Sequence, residues 1–370
     1  MNPRIEQLQQ RGQSLWYDNV RRSFLAPGGE MHTFITEQTV LGVTSNPTIF
    51  EKAIAASSDY DDAFAALVAQ GADADTIYTA LVVDDIRRTA DLLLPTYEQH
   101  HKRDGYVSIE VSPLLANNTE RTVAEALSLY AQVGRPNVMI KVPGTDAGIP
   151  AIRALTAAGI SVNVTLLFSL SQYEAIANAY LEGLAERAAA GHRLEDIASV
   201  ASFFVSRVDT LIDKRLAAQH PAQSEQLRGQ AAIANAKLAY ARGKQLFSGP
   251  AWEKRVAQGA QAQRLLWAST GTKDPRYSDT LYVDELIGAE TVNTVPPATL
   301  KAFLDHGSVR PSLEQGLESA QHLVERLAER GISLEEVGQV LQQEGVVAFE
   351  QSFRTLMQAI ESRRQRALQS

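Results

Sequence analysis

The sequence contains no cysteine. Disulfides, thiolate metal sites and cysteine nucleophiles are thereby excluded, and the composition suits a reducing compartment. Long hydrophobic runs are absent too: no stretch is apolar enough for long enough to span a bilayer, and Met1 to Gln13 is polar and helix-like, with no signal-peptide apolar region. Basic charge is not in excess. The net charge of -8 over 370 residues argues against general nucleic-acid or anionic-membrane binding, so an anionic ligand has to be met by a local cluster of cations. There is no Walker motif and no GxGxxG fingerprint, and the seven histidines are scattered without HExxH spacing. Neither a metal nor another cofactor is indicated. The expectation is a cytoplasmic, soluble protein, long enough for one large barrel or two domains.

What is present is an alternation of short apolar strands and helices. Strand candidates are Ser14 to Asn19, Thr39 to Ser45, Tyr106 to Val111, Val138 to Pro143, Ser161 to Phe168, Ser199 to Val205, Arg264 to Ser269 and Thr291 to Val295. Phe24 to Glu30, with Pro27-Gly28-Gly29, reads as a turn. Helical patterns fill Thr48 to Ala55, Tyr60 to Gln70, Ala74 to Glu98, Thr119 to Gln132, Ile149 to Ala158, Ser171 to Gly191 and Ala298 to His306. A long helical insertion from Val208 to Phe247 breaks at His220-Pro221. Eight strand–helix units predict parallel strands with crossovers, and hence an α/β fold, a (β/α)8 TIM barrel. An N-terminal helix precedes the barrel, the insertion lies between strands 6 and 7, and C-terminal helices pack outside. The predicted organisation is one domain over residues 1–370, with the barrel at about 14–306 and a helical tail at about 312–370.

The stretch Val138-Met139-Ile140-Lys141-Val142-Pro143 stands out, because it puts a lysine into an apolar strand. A buried ammonium loses solvation, which favours the neutral amine that a Schiff-base nucleophile needs. Snorkelling to the strand end, or pairing with a carboxylate, is the plainer reading. Alternation along the other strands places polar side chains on the same face near each C-terminal end. The residues on that face are Trp16 and Asp18, Thr44 and Asn46, Ser108 and Glu110, Asn163 and Thr165, Ser202 with the apolar Phe204, and Trp267 and Ser269. Barrel interiors are normally filled by branched apolar residues, so repeated polar groups at this mouth read as an active site. Glu110, in an apolar strand, should have a raised pKa useful for proton transfer, or else pair with Lys141. Asp18 has the same two readings. Arg207 lies just beyond the sixth strand and Lys273 in the loop Thr270-Gly271-Thr272-Lys273, where a cation, hydroxyls and backbone amides suit a phosphate.

The motifs GVTSNPTIFEKAI (Gly42 to Ile54), SIEVSP (Ser108 to Pro113), MIKVPGTDAGI (Met139 to Ile149), VNVTLLFS (Val162 to Ser169) and ASFFVSRVD (Ala201 to Asp209) resemble those of the transaldolases, in order, over about Leu15 to Pro297. The resemblance implies transfer of a dihydroxyacetone unit from sedoheptulose 7-phosphate or fructose 6-phosphate to an aldose phosphate, as in the pentose phosphate pathway. It also implies Lys141 as Schiff-base lysine, Glu110 as an acid/base working through a water, and Asp18 as the second acid/base. Asn46, Asn163 and Thr165 would hold the ketose and the water, with Phe204 beside them and with Thr44 and Ser202 on the same face. Ser269 and Arg207 match phosphate-binding positions. Lys273 stands near where many members carry an arginine, and Ser206 where glycine is common. The insertion Leu211 to Ala262 and the tail after Leu313 match the family least. Two rivals remain open from sequence: a class I aldolase that releases dihydroxyacetone, and a non-catalytic sugar-phosphate-binding barrel. The expected partners are small sugar phosphates, with no nucleic acid and no membrane; monomer and homodimer both stay open.

Overall fold

The computed structural model describes residues 2–55, 57–219 and 225–369. Eight parallel strands close into a barrel in sequence order, β1 pairing with β8. They are β1 Gln13–Tyr17, β2 Gly42–Val43, β3 Tyr106–Glu110, β4 Val138–Pro143, β5 Val162–Leu167, β6 Ser199–Phe204, β7 Arg264–Ala268 and β8 Thr291–Val295. Each is fully buried, as expected of strands sandwiched between a filled barrel and an outer ring of helices. All eight expected strands are found. β2 is the shortest, although Leu41 and Thr44 N–H groups still donate to Leu15 and Tyr17 of β1 beyond its ends.

Two local features depart from the expectations. Met31 and Ile35, four apart, give Glu30–Thr36 a buried helical face, so a helix follows the Pro27-Gly28-Gly29 turn. After β2 the α-helix Pro47–Phe50 widens into a turn of π-helix, Glu51–Ala55. In the insertion, helices Ser206–Gln219 and Ala231–Leu246 are present, and a further short helix, Pro250–Val256, follows. The expected break at His220-Pro221 lies outside the described residues.

The inner faces of the strands form layers. At the N-terminal end the barrel is plugged by a buried ion pair. Arg264 Nη2 lies 3.0 Å from Asp104 Oδ1, and Asp104 also accepts from Ser14 Oγ at 2.7 Å and Trp16 Nε1 at 2.9 Å. At the other end sit the polar residues of the candidate site. Apolar side chains from strands, surrounding helices and the terminal helix Leu334–Gln369 join one continuous core that includes Val43, Val142, Phe203, Phe349 and Leu356. Among the described residues no helix is long and apolar enough to cross a membrane.

Candidate active site

β3, β4 and β5 are in register so that Glu110 pairs with Lys141 and Lys141 with Asn163. In a parallel ladder paired residues face the same side, which puts all three inside the barrel. Lys141 Nζ donates to the Ser45 carbonyl at 3.0 Å and lies 3.5 Å from Glu110 Oε2. Both side chains are almost completely buried, and neither carboxylate oxygen of Glu110 has a hydrogen-bond partner among the described residues. Burial therefore outweighs the nearby Lys141 charge and pushes the Glu110 pKa from 4.5 up to about 7. A cavity of about 10 Å³, roughly one water-sized probe, lies beside Glu110 and is lined also by Ser45, Asn46 and Tyr78.

Asp18, two residues past Trp16 on β1, approaches from the other side. Thr44 gives its single hydroxyl proton to Asp18 Oδ1 at 2.6 Å, so the Thr294 hydroxyl, 2.6 Å from Thr44 Oγ1, must donate to Thr44. Burial raises the Asp18 pKa, against the lowering effects of Lys141 and Thr44. The carboxylate is thus held by a two-hydroxyl chain that starts on β8.

These groups open into a cavity of about 550 Å³ at the C-terminal mouth of the barrel, within the usual range for small-molecule sites. Asp18, Thr44, Asn46, Lys141, Thr165, Ser202, Phe204, Arg207, Ser269 and Lys273, all expected from sequence, line it. Glu110 and Asn163 do not. Asn163 lies beneath, donating to Ser108 Oγ at 2.9 Å and accepting from Ser202 Oγ at 2.7 Å, which ties β3, β5 and β6 together. Asn46 uses its carbonyl to cap the following helix, accepting from Ile49 N at 3.0 Å, so its amide N–H groups remain for a ligand. The Thr165 hydroxyl is buried at the cavity wall and has no partner among the described residues.

One wall carries a cation. Arg207 stacks its guanidinium over the Phe204 ring, 5.6 Å from the centroid, and makes no hydrogen bond or ion pair with the described residues. Burial lowers its pKa, partly offset by Glu344 of the terminal helix. Beside it, Ser269 adopts a left-handed backbone with φ of 56°. Ser206 supports that turn, its N–H donating to the Ser269 carbonyl at 3.1 Å and its Oγ lying 2.9 Å from Ser269 Oγ. The serine at 206 thus has a structural role that the sequence did not disclose.

The expected inward orientation of Trp267 is corrected. Ser202 and Phe204 pair with Leu266 and Ala268, so those are the inward residues of β7. Trp267 pairs with Phe203 and packs edge-on against it outside the barrel, centroids 6.1 Å apart. Ser269 reaches the cavity only because its positive φ breaks the alternation. Arg21, Lys52, Thr294 and Phe349 also line the cavity and were not anticipated. Thr294 was readable from the alternation of TVNTV. Lys52 is brought in on the π-helical turn, a feature common at functional sites.

Residues 15–360 match the family profile described as transaldolase/fructose-6-phosphate aldolase. The chain belongs to that family. It is 49% identical over 360 residues to a protein named transaldolase from Saccharopolyspora erythraea, covering 97% of each chain. Identity is 49% over 349 residues to the transaldolase of Thiobacillus denitrificans, covering 94% of this chain and 97% of that one. With the Mycobacterium tuberculosis transaldolase it is 47% over 359 residues, 96% of each. These relatives place the chain among the enzymes on the transferase side of the family, including the insertion and most of the tail.

Proposed function

We propose that the chain transfers a dihydroxyacetone unit from a ketose phosphate, sedoheptulose 7-phosphate or fructose 6-phosphate, to an aldose phosphate through a Schiff base on Lys141. The observation that carries this reading is the Lys141 amine, 3.5 Å from a carboxyl that titrates near neutrality, at the floor of a cavity walled by an arginine that no described residue pairs. Lys141 passes a proton to Glu110 and attacks the ketose carbonyl. Glu110 returns the proton as the carbinolamine loses water, giving the iminium. Asp18 takes the hydroxyl proton beside the carbon–carbon bond that breaks, and the aldose phosphate leaves. The retained enamine then attacks the incoming aldehyde, and the steps reverse with water.

Arg207, Ser269 and Lys273 hold the phosphate, while Asn46, Thr165 and Ser202 hydrogen-bond the sugar hydroxyls. Asn163 acts through Ser202, which it orients. The barrel and its helical tail work as one domain, a reading supported by their shared apolar core. Sugar phosphates are its partners, nucleic acid and membrane are not, and its place is the cytoplasm. The test is a product assay with fructose 6-phosphate and erythrose 4-phosphate. By carbon count, transfer makes a seven-carbon ketose phosphate and glyceraldehyde 3-phosphate together. Dihydroxyacetone appearing at the same rate with and without the aldehyde would contradict transfer.

A further inference from the structure

Besides β5 and the long helix Ala74–Gln99, the terminal helix packs on elements that directly follow C-terminal strand ends: Pro47–Phe50 and Glu51–Ala55 after β2, Pro113–Leu115 after β3, and helix Ser206–Gln219 after β6. It therefore lies at the catalytic end of the barrel. Gln342 Nε2 fixes it there, donating to the carbonyls of Gly144 at 2.8 Å and Leu166 at 3.1 Å, just past β4 and within β5. Two glycines sit on the seam. A Cβ added at Gly345 would come within 2.8 Å of Leu166 Cδ2, and one at Gly338 within 2.6 Å of Ser169 Cβ. Glycine inside a helix is less favourable than alanine, so the seam gives up helix propensity for close approach. One turn beyond Gly345, the helix delivers Phe349. That side chain is 5% exposed, lines the cavity, and has its ring centroid 5.8 Å from Lys141 Nζ. Its position is held further along by Ser352 Oγ, 2.9 Å from Thr48 Oγ1, and by Phe353 packed edge-on against Tyr78.

We propose that Phe349 is a specificity-determining residue of this reaction, its ring screening the Lys141 adduct from bulk water so that the enamine is transferred rather than released. The inference rests on the Schiff-base reading above. Once the aldose has left, the three-carbon enamine on Nζ has two fates. Its nucleophilic carbon can attack an aldehyde, forming the new carbon–carbon bond. Alternatively that carbon takes a proton, water adds to the resulting iminium, and the C–N bond breaks to give dihydroxyacetone and the free amine. The second route needs water and a proton at the adduct and no redox partner. A carbon bonded to Nζ lies within van der Waals reach of a ring at this distance, so the ring occupies space that water would otherwise take. Hydrolysis of the transfer product needs one water but no proton on the enamine carbon, and that water can come from the Glu110 side, where a cavity of about 10 Å³ lies outside the lining of the main one.

The test uses Phe349→Ala and Phe349→Leu in the full chain. Dihydroxyacetone release from fructose 6-phosphate alone is compared with seven-carbon ketose phosphate formed when erythrose 4-phosphate is present. The release-to-transfer ratio should rise about tenfold in Phe349→Ala, equivalent to about 1.4 kcal/mol of differential barrier, and less in Phe349→Leu, which refills part of the space. Where Phe349→Ala does not fold, the rise in Phe349→Leu decides. An unchanged ratio in folded variants that still form a borohydride-trapped adduct overturns the proposal, even if both rates fall together. No trapped adduct on the wild type would instead overturn the Schiff-base reading, and this inference with it.

Discussion

Glu110 should make this protein less stable as pH rises through the neutral range, and Glu110→Gln should remove that share of the dependence, leaving the share of other buried carboxyls such as Asp209, which is also raised to about 7. In the folded state the carboxyl holds its proton to about pH 7, against an ordinary value of 4.5. Below 4.5 both folded and unfolded chains carry the proton, and the favourable contribution is complete. Between 4.5 and about 7 the unfolded chain loses the proton while the fold keeps it, so stability falls with rising pH. Above that both are ionised and the loss is finished. At about 1.4 kcal/mol per pH unit, the gap is worth roughly 3 kcal/mol. The cause is local: two buried oxygens without hydrogen bonds, with Lys141 at 3.5 Å only partly compensating. Urea unfolding of wild type and variant between pH 4 and 8.5 measures it. The wild type should lose about 3 kcal/mol relative to Glu110→Gln across this window. A difference curve that is flat within about 1 kcal/mol would refute a carboxyl protonated near neutrality. The same variant should lose roughly 10² to 10⁴ in transfer rate, the span for a general acid/base.

Lys141→Arg should be inactive, because guanidinium stays protonated and cannot form an imine; turnover near the wild-type rate would remove Lys141 from the nucleophile role. Arg264→Met should cost about 3–5 kcal/mol in urea unfolding, since it leaves Asp104 charged and buried, yet change kcat of the properly folded fraction little; a loss under about 1 kcal/mol would mean that Ser14 and Trp16 suffice for Asp104. Gly345→Ala should destabilise by about 1–3 kcal/mol through overpacking against Leu166, measured by thermal unfolding. If it instead stabilises, as an ordinary helical Gly→Ala change would, the seam is looser than the structure has it.

The barrel was legible because short apolar runs, most of them closed by Pro, Gly or Asn, alternate with helical periods. Lys141 and Glu110 were legible because charged residues in such runs are rare enough to require an explanation. The limits had physical causes. Trp267 was placed inside because alternation was counted back from Ser269, and a single left-handed residue there shifts the count by one. Helix Glu30–Thr36 followed a Pro-Gly-Gly turn whose breaker signal masked the Met31 and Ile35 pair. Phe349 reaches Lys141 only through long-range packing of the terminal helix on β5, and no local pattern encodes such a contact. Arg21 and Lys52 come from connections whose direction is set by tertiary structure. The role of Ser206 emerged only when the β7 turn was seen beside it.

The most direct test of the central claim is intact-mass spectrometry of wild type and Lys141→Ala after incubation with fructose 6-phosphate and borohydride. A dihydroxyacetone-derived adduct on the wild type alone is the expected result. The absence of any adduct on the wild type, or an equal adduct on both proteins, would contradict a Schiff base on Lys141.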